Sequence, residues 1–238
     1  IFMFLTPLIF GHSMNNPIDI PAAALYIMSV YAILRFVKNL PKISFPGILF
    51  LVASISLAIN IRVSSVILIA FFVCYAFIHW LLETLQQPFS RQRVINGAIL
   101  GAKVVGIAIL AYLSSCIFWP HAQSNPLLVP YRTLTAFTNL NANIHSLFEG
   151  KWINMMSLPW YFAPKWLLIT SPLHIIIGAL AIPFSFIQKI SPPSRKTLTP
   201  LVFVFLAFLI PLLCVILSRQ PLYDNCRQLL FVLPPLIS

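Results

Sequence analysis

The chain has few charged residues and almost no acidic ones. Only 8% of its 238 residues are charged, and four Asp and Glu stand against 15 Lys and Arg. Soluble domains usually carry about 25% charged residues, so this composition excludes an ordinary water-soluble globular protein. With 60% apolar residues and a mean hydropathy of +0.94, the expected solvent is a lipid bilayer.

Glycine and cysteine are also scarce. The seven glycines form no phosphate-binding loop, and the four cysteines follow no metal-ligand or redox spacing. No Ser/His/Asp set is recognisable either, so we expect neither a metal nor a cofactor. Cys74 and Cys214 lie inside apolar runs and are expected to pack as small residues. For Cys116 and Cys226, free thiols are favoured over a disulfide.

The formal net charge of +11 does not predict binding to nucleic acid. Its Lys and Arg residues occur in ones and twos at the ends of apolar runs, a pattern typical of membrane topology. This distribution does not predict a basic surface patch of the kind that binds nucleic acid.

Apolar runs predict an all-α fold, a polytopic transmembrane helical bundle of about 7 to 8 spans, since one span needs about 20 apolar residues. The stretch from Ile48 to Leu82 is too long for one crossing, and we predict two helices with a tight turn at Arg62. The whole chain, 1–238, is expected to be one transmembrane domain with partial spans at both ends, and therefore a fragment. The runs cover 1–10, 20–36, 44–60, 63–82, 95–119, 166–188, 199–217 and a last segment from Gln228.

Orientation follows from the Lys and Arg content of alternate loops, because cationic side chains are retained on the cytoplasmic side. The loops at 35–42, 91–93 and 189–196 are predicted to be cytoplasmic, and Glu83 lies with them. The opposite set contains Asp19, Glu149 and Asp224 and is expected to face outward. One of these outer loops, 121–165, is long and aromatic, which favours short helices lying along the membrane interface.

Two polar clusters lie on the predicted outer face. In the segment 11–21, Asn16 or Asp19 is suited to cap the following helix. This purely structural role explains the polar residues as well as a binding role does. In the segment 218–227, arginine can hold a phosphate through two parallel hydrogen bonds. The alternative is an exposed pair between Asp224 and Arg227, which contributes little.

Two further cations lie at or within the apolar runs. Arg62 occupies the tight outer turn, where either an anionic partner or snorkelling to the interface explains the charge. Lys103 falls well inside its predicted span, which indicates an internal polar cavity or another snorkelling side chain.

Several short motifs, taken in order, resemble those of a known family. They are Phe10-Gly11-His12-Ser13, Asn16-Pro17-Ile18-Asp19-Ile20-Pro21, Ile61-Arg62-Val63, Leu158-Pro159-Trp160-Tyr161, Pro164-Lys165-Trp166, Thr170-Ser171-Pro172, Tyr223-Asp224 with Arg227, and Phe231-Val232-Leu233-Pro234-Pro235. Together they resemble the GT-C membrane glycosyltransferases, in the branch of protein O-mannosyltransferases and the lipid A aminoarabinose transferase. The resemblance covers most of the chain.

The resemblance implies transfer of a sugar from a polyprenyl-phosphate donor to a protein, lipid or glycan acceptor outside the bacterial inner membrane. The family's catalytic acid is expected in an outer loop that precedes residue 1, so the catalytic base remains unassigned. We expect phosphate or headgroup contacts from Arg62, Lys165 and Arg227. We expect sugar or acceptor binding by Asp19 and Asp224, and stacking on the sugar or the lipid by Trp160 and Tyr161. Including supporting polar groups, the expected donor-binding and substrate-binding residues are His12, Asp19, Arg62, Trp160, Tyr161, Lys165, Tyr223, Asp224 and Arg227.

Two other classes remain open. A transporter or flippase of a lipid-linked or small polar substrate requires polar groups near the midplane, and Lys103 is the residue that favours it. A non-catalytic membrane subunit requires only that the long outer loop serve as a docking surface.

Overall fold

The computed structural model describes residues 6–85, 90–138, 145–178, 195–218, 221–222 and 227–237. These residues are mostly helical, and four helices are long and apolar enough to cross a membrane. The chain is therefore a membrane protein. The four candidate spans are Asp19–Lys38, Val63–Thr84, Arg91–Ile117 and Leu198–Leu217.

The chain divides into two compact units. The central unit is Leu25–Leu134, and the terminal unit combines Ile1–Ala24 with Thr135–Ser238. Helix α2, Asp19–Lys38, starts in the terminal unit and continues into the central one.

The central unit is built from apolar helices. After α2 come α3 (Phe45–Ile61), a 3-10 turn (Val63–Val66), α4 (Ile67–Thr84), α5 (Arg91–Ile117), α6 (Pro120–Ser124) and α7 (Leu128–Thr138), which continues past the unit's last residue. The predicted turn at Arg62 is confirmed: α3 ends at Ile61, and the Arg62 backbone N–H donates to the Ala58 carbonyl. At 17 residues, α3 is shorter than the four candidate spans.

Apolar side chains fill the interior of the central unit. Tyr26, Ile33, Leu51 and Phe72 are fully buried, and Phe72 meets Phe36 edge to face with ring centroids 5.4 Å apart. Such an arrangement suits the charge distribution of two aromatic rings. None of these core residues is charged.

Helix α5 packs against Trp80 of α4 at Gly97. A Cβ built on Gly97 would lie 2.5 Å from the Trp80 ring, so only glycine fits there unless the indole shifts. On its outward side, α5 exposes Ile99, Val105 and Ile109. A run of exposed apolar side chains of this kind is stable against hydrocarbon rather than water.

The terminal unit contains shorter and more varied elements. They are α1 (Pro7–Ser13), β1 (His145–Phe148), β2 (Lys151–Asn154), a 3-10 turn (Met155–Ser157), α8 (Phe162–Thr170), α9 (Arg195–Leu217), a 3-10 segment (Arg227–Val232) and α10 (Leu233–Ile237). Their shared core includes Phe148, Phe162, Leu212 and Leu230.

The long loop contains an element that we did not predict. Strands β1 and β2 pair antiparallel across a two-residue turn at Glu149 and Gly150, which have φ values of 53° and 76°. Two consecutive positive φ values are the mark of a tight hairpin turn that matches strand twist, and glycine adopts that backbone without strain. The short helix α7 lies within 121–165 and α6 overlaps the start of this range, but their predicted place along the membrane interface stays a prediction.

Helix α9 contains two prolines, Pro200 and Pro211. Its buried positions include Phe203, Ala207 and Pro211, whereas Phe205 and Leu213 are exposed on the outward side. The helix therefore has one packed face and one apolar face suited to lipid.

The predicted run 166–188 and the predicted packing of two cysteines differ from the structure. The run 166–188 is interrupted, because α8 ends at Thr170 and an extended Ser171 precedes Pro172. Residues 179–188 of that run lie outside the described residues. Cys74 and Cys214 are exposed free thiols, so the expectation that they pack inside was wrong. An apolar run alone does not reveal which helix face points outward.

Candidate functional site

The first polar cluster forms a cap at the start of α2. The Asn16 Oδ1 accepts the backbone N–H groups of Ile18 and Asp19 at 3.2 and 2.9 Å. These donors have no partner within a helix, so the side chain satisfies them. The Asn16 amide also donates to the Asp19 carboxylate, with Nδ2 and Oδ2 2.8 Å apart. Asn16 therefore performs the capping role, and the Asp19 carboxylate has another partner.

That other partner is Arg227, 208 positions further along the chain. The Arg227 Nε lies 3.0 Å from the Asp19 Oδ2, and both residues belong to the terminal unit. The Asp19 side chain is only 7% exposed, whereas that of Arg227 is 36% exposed. A buried carboxylate thus lies against the Nε of an arginine whose side chain is partly exposed.

The backbone of Arg227 is held in place as well. Arg227 begins the 3-10 segment that ends at Val232, in which Leu229, Leu230 and Val232 are buried in the shared core. Because the segment is anchored by these side chains, the guanidinium has a fixed origin and a fixed carboxylate partner. A guanidinium has five N–H donors in a planar fork, which suits it to hold an anion.

Lys165 is committed to a second ion pair. Its ammonium bonds the Glu149 carboxylate at the hairpin turn, and the two side chains are 41% and 43% exposed. The same nitrogen lies 5.3 Å from the centroid of the Phe148 ring, which adds a cation–π contact. Since Lys165 stays close to the surface, the pair is open to exchange with another anion.

Aromatic rings surround this second pair. The Phe148 ring packs against Phe162 and Tyr161 with centroid distances of 4.8 and 5.9 Å. Tyr161 meets Trp160 edge to face at 5.9 Å, and Trp160 is 73% exposed. Tyr161 is thus held between a buried ring and an exposed one, which leaves the Trp160 indole as the accessible stacking surface.

A cleft of about 300 Å³ lies beside these rings. One wall is the segment that joins β2 to α8, including Met155, Leu158 and Trp160, and the other includes Val215 and Ile216 near the end of α9. Its lining mixes apolar and aromatic residues with the polar Ser157, as small-molecule sites often do.

The remaining predicted residues are placed as follows. His12 is half-buried in the last turn of α1, and Arg62 is half-buried in the central unit. Lys103 is exposed on α5 and provides no internal polar cavity, so that interpretation was wrong. Tyr223 and Asp224 lie outside the described residues, as does Cys226, while Cys116 is a buried free thiol.

The structure therefore brings together two of the predicted clusters, through Asp19 and Arg227. It places Lys165, Trp160 and Tyr161 together as a separate group in the same unit. Sequence reasoning missed Glu149 as the partner of Lys165, and the turn-forming Glu149-Gly150 pair between short apolar stretches was the available signal. Within the described ranges, no three His, Cys, Asp or Glu residues are grouped to hold a metal ion.

Comparisons with protein-family models, with curated proteins and with solved structures gave no match.

Proposed function

We propose that the chain is a membrane glycosyltransferase that transfers a sugar from a polyprenyl-phosphate donor to an acceptor. The reaction takes place on the extracytoplasmic face of the bacterial inner membrane, and the chain forms a bundle of seven to eight spans whose long loop follows the interface. The observation that carries the proposal is the partly exposed Arg227 side chain, which pairs through its Nε with the buried Asp19 carboxylate.

This arrangement suits the charge that develops in such a transfer. As the sugar–phosphate bond breaks, the departing lipid phosphate gains negative charge, and a preoriented donor stabilises it without further reorganisation. Arginine offers a planar, permanently charged fork for phosphate oxygens. A carboxylate that fixes one edge of the fork reduces the conformational freedom that binding would otherwise remove.

The structure changes the role that we assign to Asp19. The sequence placed it on the sugar or acceptor, but its carboxylate is nearly buried and contacts Asn16 and Arg227. We therefore assign it as a positioning residue for Arg227. Lys165 remains a proposed phosphate contact that would exchange Glu149 for the donor, and Trp160 remains the proposed stacking surface for the sugar.

The proposal is tested by reconstituting the full-length protein in liposomes with radiolabelled polyprenyl-phosphate sugars and measuring the polyprenyl phosphate released. Turnover is expected in the native protein and should fall by well over tenfold in Arg227→Gln, a loss of more than about 1.4 kcal/mol of transition-state stabilisation. Arg227→Lys keeps the charge without the fork and should retain an intermediate rate.

The matched control is Arg91→Gln, which neutralises an exposed arginine at the start of α5. Its turnover should equal that of the native protein. Full turnover in folded Arg227→Gln, or the absence of turnover in the native protein with every polyprenyl-phosphate sugar offered, contradicts the proposal.

A further inference from the structure

The hairpin presents an apolar pair on its outward face. Leu147 and Trp152 are direct cross-strand partners, and they are 52% and 72% exposed. Side chains alternate between the two faces of a strand, so this pair points away from the face that carries Phe148. Phe148 is buried and packs against Phe162 of α8, which identifies the other face as the attached one.

The hairpin lies at the level where a candidate span ends. Strand β2 runs directly into Met155, and Met155 lines the same cleft as Val215 and Ile216. Those two residues are in the last turn of α9, whose apolar span finishes at Leu217. Because the cleft joins them, the hairpin is attached beside the end of this candidate span.

The turn of the hairpin is fastened to α8. Lys165 of α8 bonds Glu149 in the turn and lies over the Phe148 ring. This attachment fixes the direction in which Leu147 and Trp152 point. An exposed indole held in a fixed direction at the end of a span meets the chemistry of the headgroup region, which accepts an apolar ring with one polar edge.

The alternation of side chains also places the neighbouring basic residues. Lys151 is the direct cross-strand partner of Phe148, so it belongs to the attached face, whereas His145 lies two positions before Leu147 in β1 and shares the outward face. The outward face therefore carries an apolar pair with an imidazole beside it, and its indole is the side chain most typical of the membrane interface.

We propose that the outward face of the hairpin, Leu147 with Trp152, is an interfacial anchor that inserts into the headgroup region of the bilayer crossed by α9. Its occupant is the lipid surface itself. The anchor holds the cleft beside α9 against the membrane surface. This inference does not depend on the proposed enzymatic activity, and its test requires no substrate.

The test measures the tryptophan emission of the full-length protein in nanodiscs of phosphatidylcholine and phosphatidylglycerol, where both faces are accessible. The contribution of Trp152 is obtained by subtracting the spectrum of Trp152→Phe, a conservative change at an exposed position. We expect this contribution to be blue-shifted relative to indole in water. Lipids brominated near the headgroup should remove most of it, and iodide in solution should remove little.

Val105→Trp supplies the matched control, because Val105 is exposed near the middle of α5 and the added emission should respond to bromine placed deep in the acyl chains. Emission from Trp152 that is quenched by iodide and insensitive to brominated lipid overturns the proposal. Shielding of Trp152 from both quenchers also overturns it, since that result places a protein surface on the hairpin.

Discussion

The two units differ in how they treat buried polar groups. In the described part of the central unit, the buried polar residues are all serines: Ser29, Ser54, Ser56, Ser65 and Ser115. Three of them have hydroxyls that donate to carbonyls of their own helix, for example Ser29 to Leu25 at 2.7 Å. In the terminal unit the buried groups include Asn16 and Asp19, and Asp19 reaches a residue near the other end of the chain.

This difference separates the central unit from the terminal unit, which holds the candidate site. A hydroxyl that bonds within its own turn is satisfied by secondary structure alone, so it adds no long-range requirement. A buried carboxylate is costly unless a cation and hydrogen bonds compensate it, and it therefore fixes the relative position of distant segments. The terminal unit bears that cost at the place where its surface exposes a guanidinium.

The largest expected effect comes from removing the cation that compensates the carboxylate. Arg227→Gln leaves Asp19 buried without its guanidinium, which costs about 3 kcal/mol, the lower end of the range for a buried pair, because the Arg227 side chain is partly exposed to solvent. We expect a clear fall in the thermal unfolding temperature in detergent, followed by light scattering or fluorescence.

The double variant Asp19→Asn/Arg227→Gln sharpens this prediction. With both charges removed, two amides replace the pair and much of the stability should return, while proposed donor turnover stays low. If the double variant is as unstable as Arg227→Gln alone, the carboxylate is not the source of the loss and the contrast between the units fails.

A smaller loss of stability is expected in the central unit, where the substitution alters only side-chain packing. Gly97→Ala places a methyl group against the Trp80 ring, and such overpacking costs about 1 to 3 kcal/mol. The matched control is Gly101→Ala in the same helix, where nothing lies within 4 Å of the added Cβ. That change should be neutral or stabilising, because alanine favours helix over glycine by about 1 kcal/mol. Equal unfolding temperatures for the two variants contradict close contact between α4 and α5.

Removing the cap should have a moderate effect. Asn16→Ala deletes the acceptor for the Ile18 and Asp19 N–H groups and the donor to the Asp19 carboxylate. Loss of such a cap typically costs about 1 kcal/mol. Asn16→Ser restores an acceptor and should recover part of the loss. Hydrogen exchange at the first turn of α2 reports this change directly, and unaltered protection in Asn16→Ala contradicts the capping role.

The smallest effect is expected at the exposed pair. Lys165→Ala and Glu149→Ala should each change stability slightly, since exposed ion pairs contribute about 0 to 1 kcal/mol. A double-mutant cycle repeated at low and high salt measures the coupling, which should shrink as salt rises. A coupling that exceeds that range and persists in high salt shows that this pair resembles Asp19 and Arg227 more than its exposure indicates.

Prediction from the sequence was most successful for the features that composition and length determine. The stretch around Arg62 is too apolar for a loop and too long for one helix, so a turn at its charged residue was predictable. The cap at α2 was also predictable, because the Asn-Pro-Ile-Asp pattern supplies a side-chain acceptor just before an apolar run. Both are local properties of the chain.

The rest depended on tertiary contacts. Spacing indicates that Asp224 is near Arg227, but no local rule indicates that Asp19 lies 3.0 Å from the Arg227 Nε. The prediction placed both residues on one face without naming them as a pair. The hairpin was missed because its strands have only four residues each, and aromatic content in that loop was attributed to short helices.

The positions of Pro200 and Pro211 have a consequence for the shape of α9. Eleven residues make about three full turns, so both prolines lie on one side of the helix, the side that carries the buried Phe203 and Ala207. Each proline removes one N–H donor from the hydrogen-bond ladder of the helix. Both missing donors lie on the side where neighbouring protein, not acyl chains, can supply hydrogen bonds. Any curvature that the two rings introduce therefore accumulates in one plane, and the lipid-facing side keeps an unbroken ladder.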